Sequence, residues 1–213
     1  MKKTTAILAI LLSTLLYSQK DNVGKNLKIT YSYSQMKGIF INDYELIIKN
    51  SIAQFMLKRE KQKKEHNNIT FEIDAENYVN NYNLDTRTFN ECRKLNSGAL
   101  KQAEWTNDMK WVITSEMKII GGYKSIKATT DSYEMKKDNP YYQGKTFAWF
   151  AVDIPFSAGP ARYCGLPGLI LEISYEKGNS NYKLSKIEYN STANLADCDT
   201  GQQITKADIL YLR

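Results

Sequence analysis

Few residues in this chain could do chemistry. Histidine is the usual general base near neutral pH. The single one here, His66, sits in a charged run from Lys58 to Asn68 that has no apolar stripe. A Ser-His-Asp or Cys-His arrangement needs a buried, oriented imidazole, and such a run is a poor place for one. Two carboxylates remain as catalytic candidates: Asp153, in Phe150-Ala151-Val152-Asp153-Ile154-Pro155, and Glu172, in Leu171-Glu172-Ile173. Paired carboxylates serve as acid and base in glycoside hydrolysis when they stand about 5 to 10 Å apart. A period of two sets each of them on the face opposite its apolar neighbours, where isolated carboxylates mostly stay solvated. The chain has no histidine pair for zinc, no phosphate loop ending in Gly-Lys-Ser/Thr and no dinucleotide glycine fingerprint. No metal or cofactor is therefore expected.

Three cysteines follow the N-terminal segment: Cys92, Cys164 and Cys198. An exported chain with this number is expected to form one disulfide and keep one buried thiol. Three pairings are open. Cys164–Cys198 is the one that would pin a glycine-rich bend, Cys164-Gly165-Leu166-Pro167-Gly168-Leu169-Ile170, to the C-terminal region. The bend cannot cradle a phosphate, because it leads into a strand and offers no helix N-terminus. Pro167-Gly168 suits the central positions of a type II turn, with Gly168 at positive φ. Leu169, Ile170 and Leu171 then enter a buried strand, so the bend reads as architecture.

The elements that must position these residues are mostly strands. Alternation with period two runs through 27–35, 39–60, 67–75, 110–120, 145–155, 169–178 and 182–190. The segment 39–60 reads as two strands folding back around Lys49-Asn50-Ser51. The run 57–68 reads as a solvated hairpin tip or linker, and 204–213 as a last strand or a short helix starting near Thr205. The expected fold is mainly β: one large, curved antiparallel sheet or open half-barrel with little helix. Fifteen tyrosines and three tryptophans fit that class. Most aromatics should be core, with Trp111, Trp149 and Tyr163 the candidates for facing an apolar ligand.

The first residues, MKKTTAILAILLSTLLYSQKDN, combine two lysines, an apolar segment from Ala6 to Leu16 and small or polar residues after it. They read as a secretory signal peptide ending near Ser18, too short for a membrane helix. The expected organisation is thus a signal at 1–18 and a single β domain at 19–213. No cysteine follows the apolar run, so a lipoprotein anchor is not expected. Removing Lys2 and Lys3 lowers the formal charge from +6 to +4, a surplus that argues for solubility more than for nucleic acid. A periplasmic or secreted location follows, with no transmembrane segment in the mature chain.

Three features in order carry a resemblance: the leader, MKWVITSEMKIIGGYKSIKAT at 109–129, and AWFAVDIPFSAGPARYCGLPGLILEI at 148–173. Together they resemble the GLPGLI family of secreted Bacteroidetes proteins, named for the hexapeptide Gly165 to Ile170. Ser125 stands where the family often has cysteine, so no disulfide carries over. The resemblance implies compartment and a β architecture loosely similar to the open barrel of the lipoprotein carrier LolA. It implies no activity. Residues and resemblance together point to an exported, non-enzymatic envelope protein that binds a lipid, lipoprotein, peptide or envelope partner. The alternatives are a hydrolase using carboxylates near the Gly165–Gly168 bend, and a structural accessory to an outer-membrane transporter.

Overall fold

The computed structural model describes residues 26–35, 38–59, 61–66, 69–73, 76–95, 97–131, 144–177, 180–198 and 201–211. The expected signal peptide lies outside them. Fourteen strands are formed by the described residues: β1 (Asn26–Gln35), β2 (Phe40–Lys49), β3 (Ile52–Arg59), β4 (Gln62–His66), β5 (Ile69–Ile73), β6 (Glu76–Asn83), β7 (Thr88–Lys94), β8 (Leu100–Thr106), β9 (Val112–Ile120), β10 (Tyr123–Asp131), β11 (Lys145–Ala151), β12 (Leu169–Tyr175), β13 (Asn181–Tyr189) and β14 (Gln202–Gln203). Among the described residues one short helix, α1 (Lys206–Tyr211), follows the last strand.

Twelve strands make one curved sheet in the order β14-β8-β7-β6-β3-β2-β1-β13-β12-β11-β10-β9, while β4 and β5 form a separate hairpin. The chain is therefore a meander in two runs. The first spreads from β1 to β8, and the second returns from β9 to β13 on the free edge of β1. Every pairing is antiparallel except β14 on β8.

Strand order makes the curvature unavoidable. β8 and β9 stand ten strand spacings apart in the sheet, which is about 48 Å if it were flat. Only five residues, 107–111, join Thr106 to Val112, and they reach about 20 Å. The two ends of the sheet must curl toward each other, concave on the face that holds the core.

That face carries Leu27, Ile29 and Tyr31 of β1, Leu46 and Ile48 of β2, Phe55 of β3 and Ile173 of β12, all but fully buried. One cluster of buried side chains joins both runs of strands. Tyr31 is a fully buried member of it. Its hydroxyl donates to the carbonyl of Ile170 at 2.6 Å, and burial pushes its pKa well up. Removing that hydroxyl with Tyr31→Phe strands a buried carbonyl and costs about 1–2 kcal/mol. Thermal unfolding of the variant should show a midpoint about 2–8 °C lower.

The observed elements differ from the expected ones in two places, and at a third they decide between two expectations. Six strands, β4, β6, β7, β8, β10 and the two-residue β14, occupy segments without a strand expectation. β11 stops at Ala151, so Asp153 lies in a turn and the period-two reading at that residue fails. The C-terminal segment is a helix, and Thr205 caps it as the alternative reading expected. Its hydroxyl accepts from the Asp208 N–H at 3.1 Å while the Asp208 carboxylate accepts from that hydroxyl at 2.7 Å.

Candidate functional site: a filled concave face and an open edge

Between β11 and β12 the chain makes a 17-residue excursion, 152–168, that folds into the concave side of the sheet. Ile154, Ala158, Cys164 and Leu166 are all buried there within the main core cluster. Burying one such large side chain is worth roughly 1.5–3 kcal/mol. The backbone is tied down at intervals. The Leu169 N–H donates to Ile154 O at 2.9 Å, Ile170 N–H to Ala158 O at 2.9 Å, and Tyr163 N–H to Pro160 O at 3.1 Å.

The hexapeptide works differently from the expected type II turn. The Gly168 N–H donates to Leu166 O at 2.8 Å, a three-residue turn about Pro167. The residue at positive φ is Gly165, at +94°, while Gly168 is outside the left-handed region. Gly168 is needed for space. A Cβ there would stand 2.2 Å from Ala151 O and 2.7 Å from its carbonyl carbon.

Polar ties complete the anchoring. Glu91 of β7, 0% exposed, receives the Arg162 guanidinium through two bonds, from Nε at 2.7 Å and from Nη2 at 2.6 Å. Arg93 reaches the same carboxylate at 3.3 Å, and both guanidinium groups lie over the Tyr78 ring, at 5.1 and 5.6 Å. The Asn80 side-chain N–H donates to Ala161 O at 3.3 Å. An otherwise apolar interface is thus fastened by a buried, doubly hydrogen-bonded ion cluster, the arrangement that offsets charge desolvation best. Nothing in the local pattern of 88–94 announced it, because its main partner lies 71 positions away.

The linker 107–111 joins in. Trp111 Nε1–H donates to Cys164 O at 2.9 Å, and its ring is 6.4 Å from that of Tyr163. The Tyr163 hydroxyl in turn donates to the Tyr175 hydroxyl at 3.1 Å. Of the three aromatics expected to face a ligand, Trp111 thus holds the loop and Tyr163, within the loop, bonds β12. The third, Trp149, lies on the opposite face, with Lys118 Nζ 4.3 Å above its ring.

The expected Cys164–Cys198 pairing is corrected: Cys92 bonds Cys198 across a Cα separation of 5.7 Å, and Cys164 is free and buried. The strand β7 carries Cys92 to the outer face, where the segment 191–198 crosses, whereas Cys164 faces the core. Burial pushes the Cys164 thiol well above its ordinary pKa, against a smaller lowering by the Tyr82 hydroxyl, and Tyr82 is itself pushed up to about 12, chiefly by desolvation. Thiolate is the reactive form. Iodoacetamide at neutral pH should therefore leave the folded protein unlabelled and modify one thiol once denaturant is added.

The two carboxylate candidates share no described pocket. Asp153 is exposed in the turn after β11. Glu172, on the outer face of β12, pairs with Lys118 at 3.0 Å. A cavity under the loop is about 10 Å³, room for one water. The side chain of His66, on β4, lies outside the described residues.

What the sheet leaves open is its edge. At one end the two-residue β14 and α1 cover β8. At the other end β9 offers nine residues of backbone with no strand beyond it among those described. Its side chains are exposed on both faces, Met117 at 58% and Ile119 at 68% on the core side, and Val112 at 66% on the other. Ile113 extends the core-side row.

Comparison with known proteins is limited in reach. Residues 136–172 match the model of a family described as "Protein of unknown function (Porph_ging)", a stretch that takes in the 152–168 loop. No curated protein matches the chain by sequence. Among solved structures, PNGF-II in a P21 crystal form superposes with a TM-score of 0.62 at 16% identity, over 87% of this chain and 32% of that one. A C2 form of PNGF-II gives 0.57 at 19%, with the same coverage. This chain thus spans about a third of PNGF-II, and the likeness is one of fold. A DUF1329 family protein from Desulfovibrio piger reaches a TM-score of 0.33 at 7% identity, over 83% of this chain and 91% of that one. No described helix is long and apolar enough to cross a membrane.

Proposed function

We propose that this chain is an exported, non-catalytic binding module of the GLPGLI type, and that it docks an envelope protein along β9. The observation that carries the reading is the asymmetry of the two sheet edges. Long, flat, apolar edges are hazards that soluble proteins normally blunt with charges, prolines or covering elements. One edge here is covered in that way, while the far side of β9, paired to no strand among the described residues, carries Ile113, Met117 and Ile119. An extended segment with apolar side chains at alternate positions satisfies both backbone and side chains by adding a strand. The filled concave face supports a protein partner over an enclosed lipid, which would have to displace the 152–168 loop. The occurrence of this fold as about a third of a longer chain supports a module that works beside another folded unit.

Site-specific photocrosslinking in the native host tests the reading. A photoreactive residue at Met117 should give one discrete adduct that Ile119→Lys abolishes without changing the circular dichroism spectrum. The same probe at Lys186, on exposed β13, should give none. Equal adducts at both positions, or no adduct at 117, would overturn the assignment.

A further inference from the structure

The outer face of the sheet, opposite the filled side, holds a groove of about 440 Å³ bounded by β3, β6, β7, β8 and the crossing segment 195–198. Its size falls in the range of small-molecule sites, about 300–1,000 Å³. Four polar side chains line it in a single cross-strand row. Gln54 pairs with Asn81, Asn81 with Asn90, and Asn90 with Glu104. Asn83 stands in the next row.

The amides of this groove are oriented. Asn81 Oδ1 accepts from Gln54 Nε2 at 2.8 Å, and Asn90 Oδ1 accepts from Gln102 Nε2 at 2.9 Å. Asn83 Oδ1 accepts from the backbone N–H groups of Asp85 at 2.9 Å and Thr86 at 3.0 Å. Each oxygen is thus engaged within the protein, which leaves each Nδ2 as the donor end of its amide, and no described residue accepts from any of the three. Gln54, 1% exposed, clamps the crossing segment through both ends of its amide: Nε2 donates to Ala196 O at 2.8 Å and Oε1 accepts from Ala196 N–H at 2.6 Å. The Cys92–Cys198 disulfide secures the same segment. The wall of the groove is fixed, so its donors are pre-arranged.

The geometry points to a neutral saccharide as the ligand of this groove. Two amide donors in one row, Asn81 and Asn90, with Asn83 in the next, call for oxygen acceptors. The carboxylates of Glu104 and Asp197, both lining it, call for donors and repel an anion. A hydroxyl meets both demands, since it donates once and accepts twice. A ring of hydroxyls does so along a row, with its C–H face against Ile52 and Leu195.

Side-chain NH₂ resonances of the folded, isotopically labelled chain report directly on these donors. Glucose, galactose, mannose, N-acetylglucosamine and cellobiose are titrated in turn, with sodium acetate as the anion probe, each to about 50 mM, enough to reveal a millimolar Kd. At least one saccharide should shift the Asn81 and Asn90 NH₂ signals in a saturable way, and acetate should not. Asn81→Asp and Asn90→Asp should each weaken binding tenfold or more with the backbone spectrum retained. Glu104→Gln, at an exposed position, should weaken it as well, with the backbone spectrum retained. No shift with any saccharide, shifts indifferent to all three substitutions, or a response to acetate alone would overturn the assignment.

Discussion

Replacing Gly168 with alanine is expected to destabilise the fold by about 3 kcal/mol or more, at the upper end of what overpacking costs. The new Cβ meets backbone on the far side, 2.2 Å from Ala151 O and 3.0 Å from Val152 Cα. Those atoms cannot step aside cheaply. Ala151 is paired with Leu169 in the sheet, and the Leu169 N–H is held by Ile154 O. Gly165 provides the internal comparison. Its φ of +94° strains any other residue, but the nearest obstacle, 2.9 Å away, is the amide end of Asn107, a side-chain group that can shift more cheaply than backbone. Gly165→Ala should therefore cost only about 1–2 kcal/mol. Denaturant titration of the two variants should rank Gly168→Ala as the worse. The reverse order would mean that conformation, and not close packing, governs the bend.

Glu91→Ala is the other change with a large expected effect, about 3–5 kcal/mol, because breaking a buried ion cluster from one side leaves charges stranded. Arg162 loses both of its bonds to the carboxylate and Arg93 loses one. The expected signature is coupling. Arg162→Met alone should also destabilise, and the double variant should lose clearly less than the sum of the two. Because the pair is buried, the loss should change little between low and high salt. Strict additivity would show that Glu91 does not act through Arg162. A stability deficit erased by salt would place the pair at the surface.

These two sites also show what the sequence could and could not disclose. Where one face of a strand is apolar throughout, alternation was enough. β2 and β3 fold back at the expected Lys49-Asn50-Ser51, and β1, β12 and β13 lie close to their expected ranges. Alternation fails on β6 and β7 for a physical reason. Their core-facing positions read Tyr78, Asn80, Tyr82 and Phe89, Glu91, Arg93, all buried, and a buried polar residue looks exposed to any rule based on hydrophobicity. The groove was missed in the same way, since Asn81, Asn83 and Asn90 look like loop residues until β6 and β7 are recognised as strands. The disulfide then follows from that strand, which carries Cys92 to Cys198. The hexapeptide was legible as a bend entering a buried strand, but which glycine needs freedom and which needs space is decided by Ala151, a tertiary neighbour.

The central claim is that the 152–168 loop is a permanent filling of the curled sheet, so that partners are met at its edge and outer face. Native-state hydrogen exchange measures this most directly. If the claim holds, the amides of Tyr163, Leu169 and Ile170, bonded to Pro160 O, Ile154 O and Ala158 O, exchange only by global unfolding, at the rate of the β1 and β12 core. If these three amides exchange through a separate, lower-energy opening while the sheet stays protected, the loop is a lid over an inner site and the account is wrong.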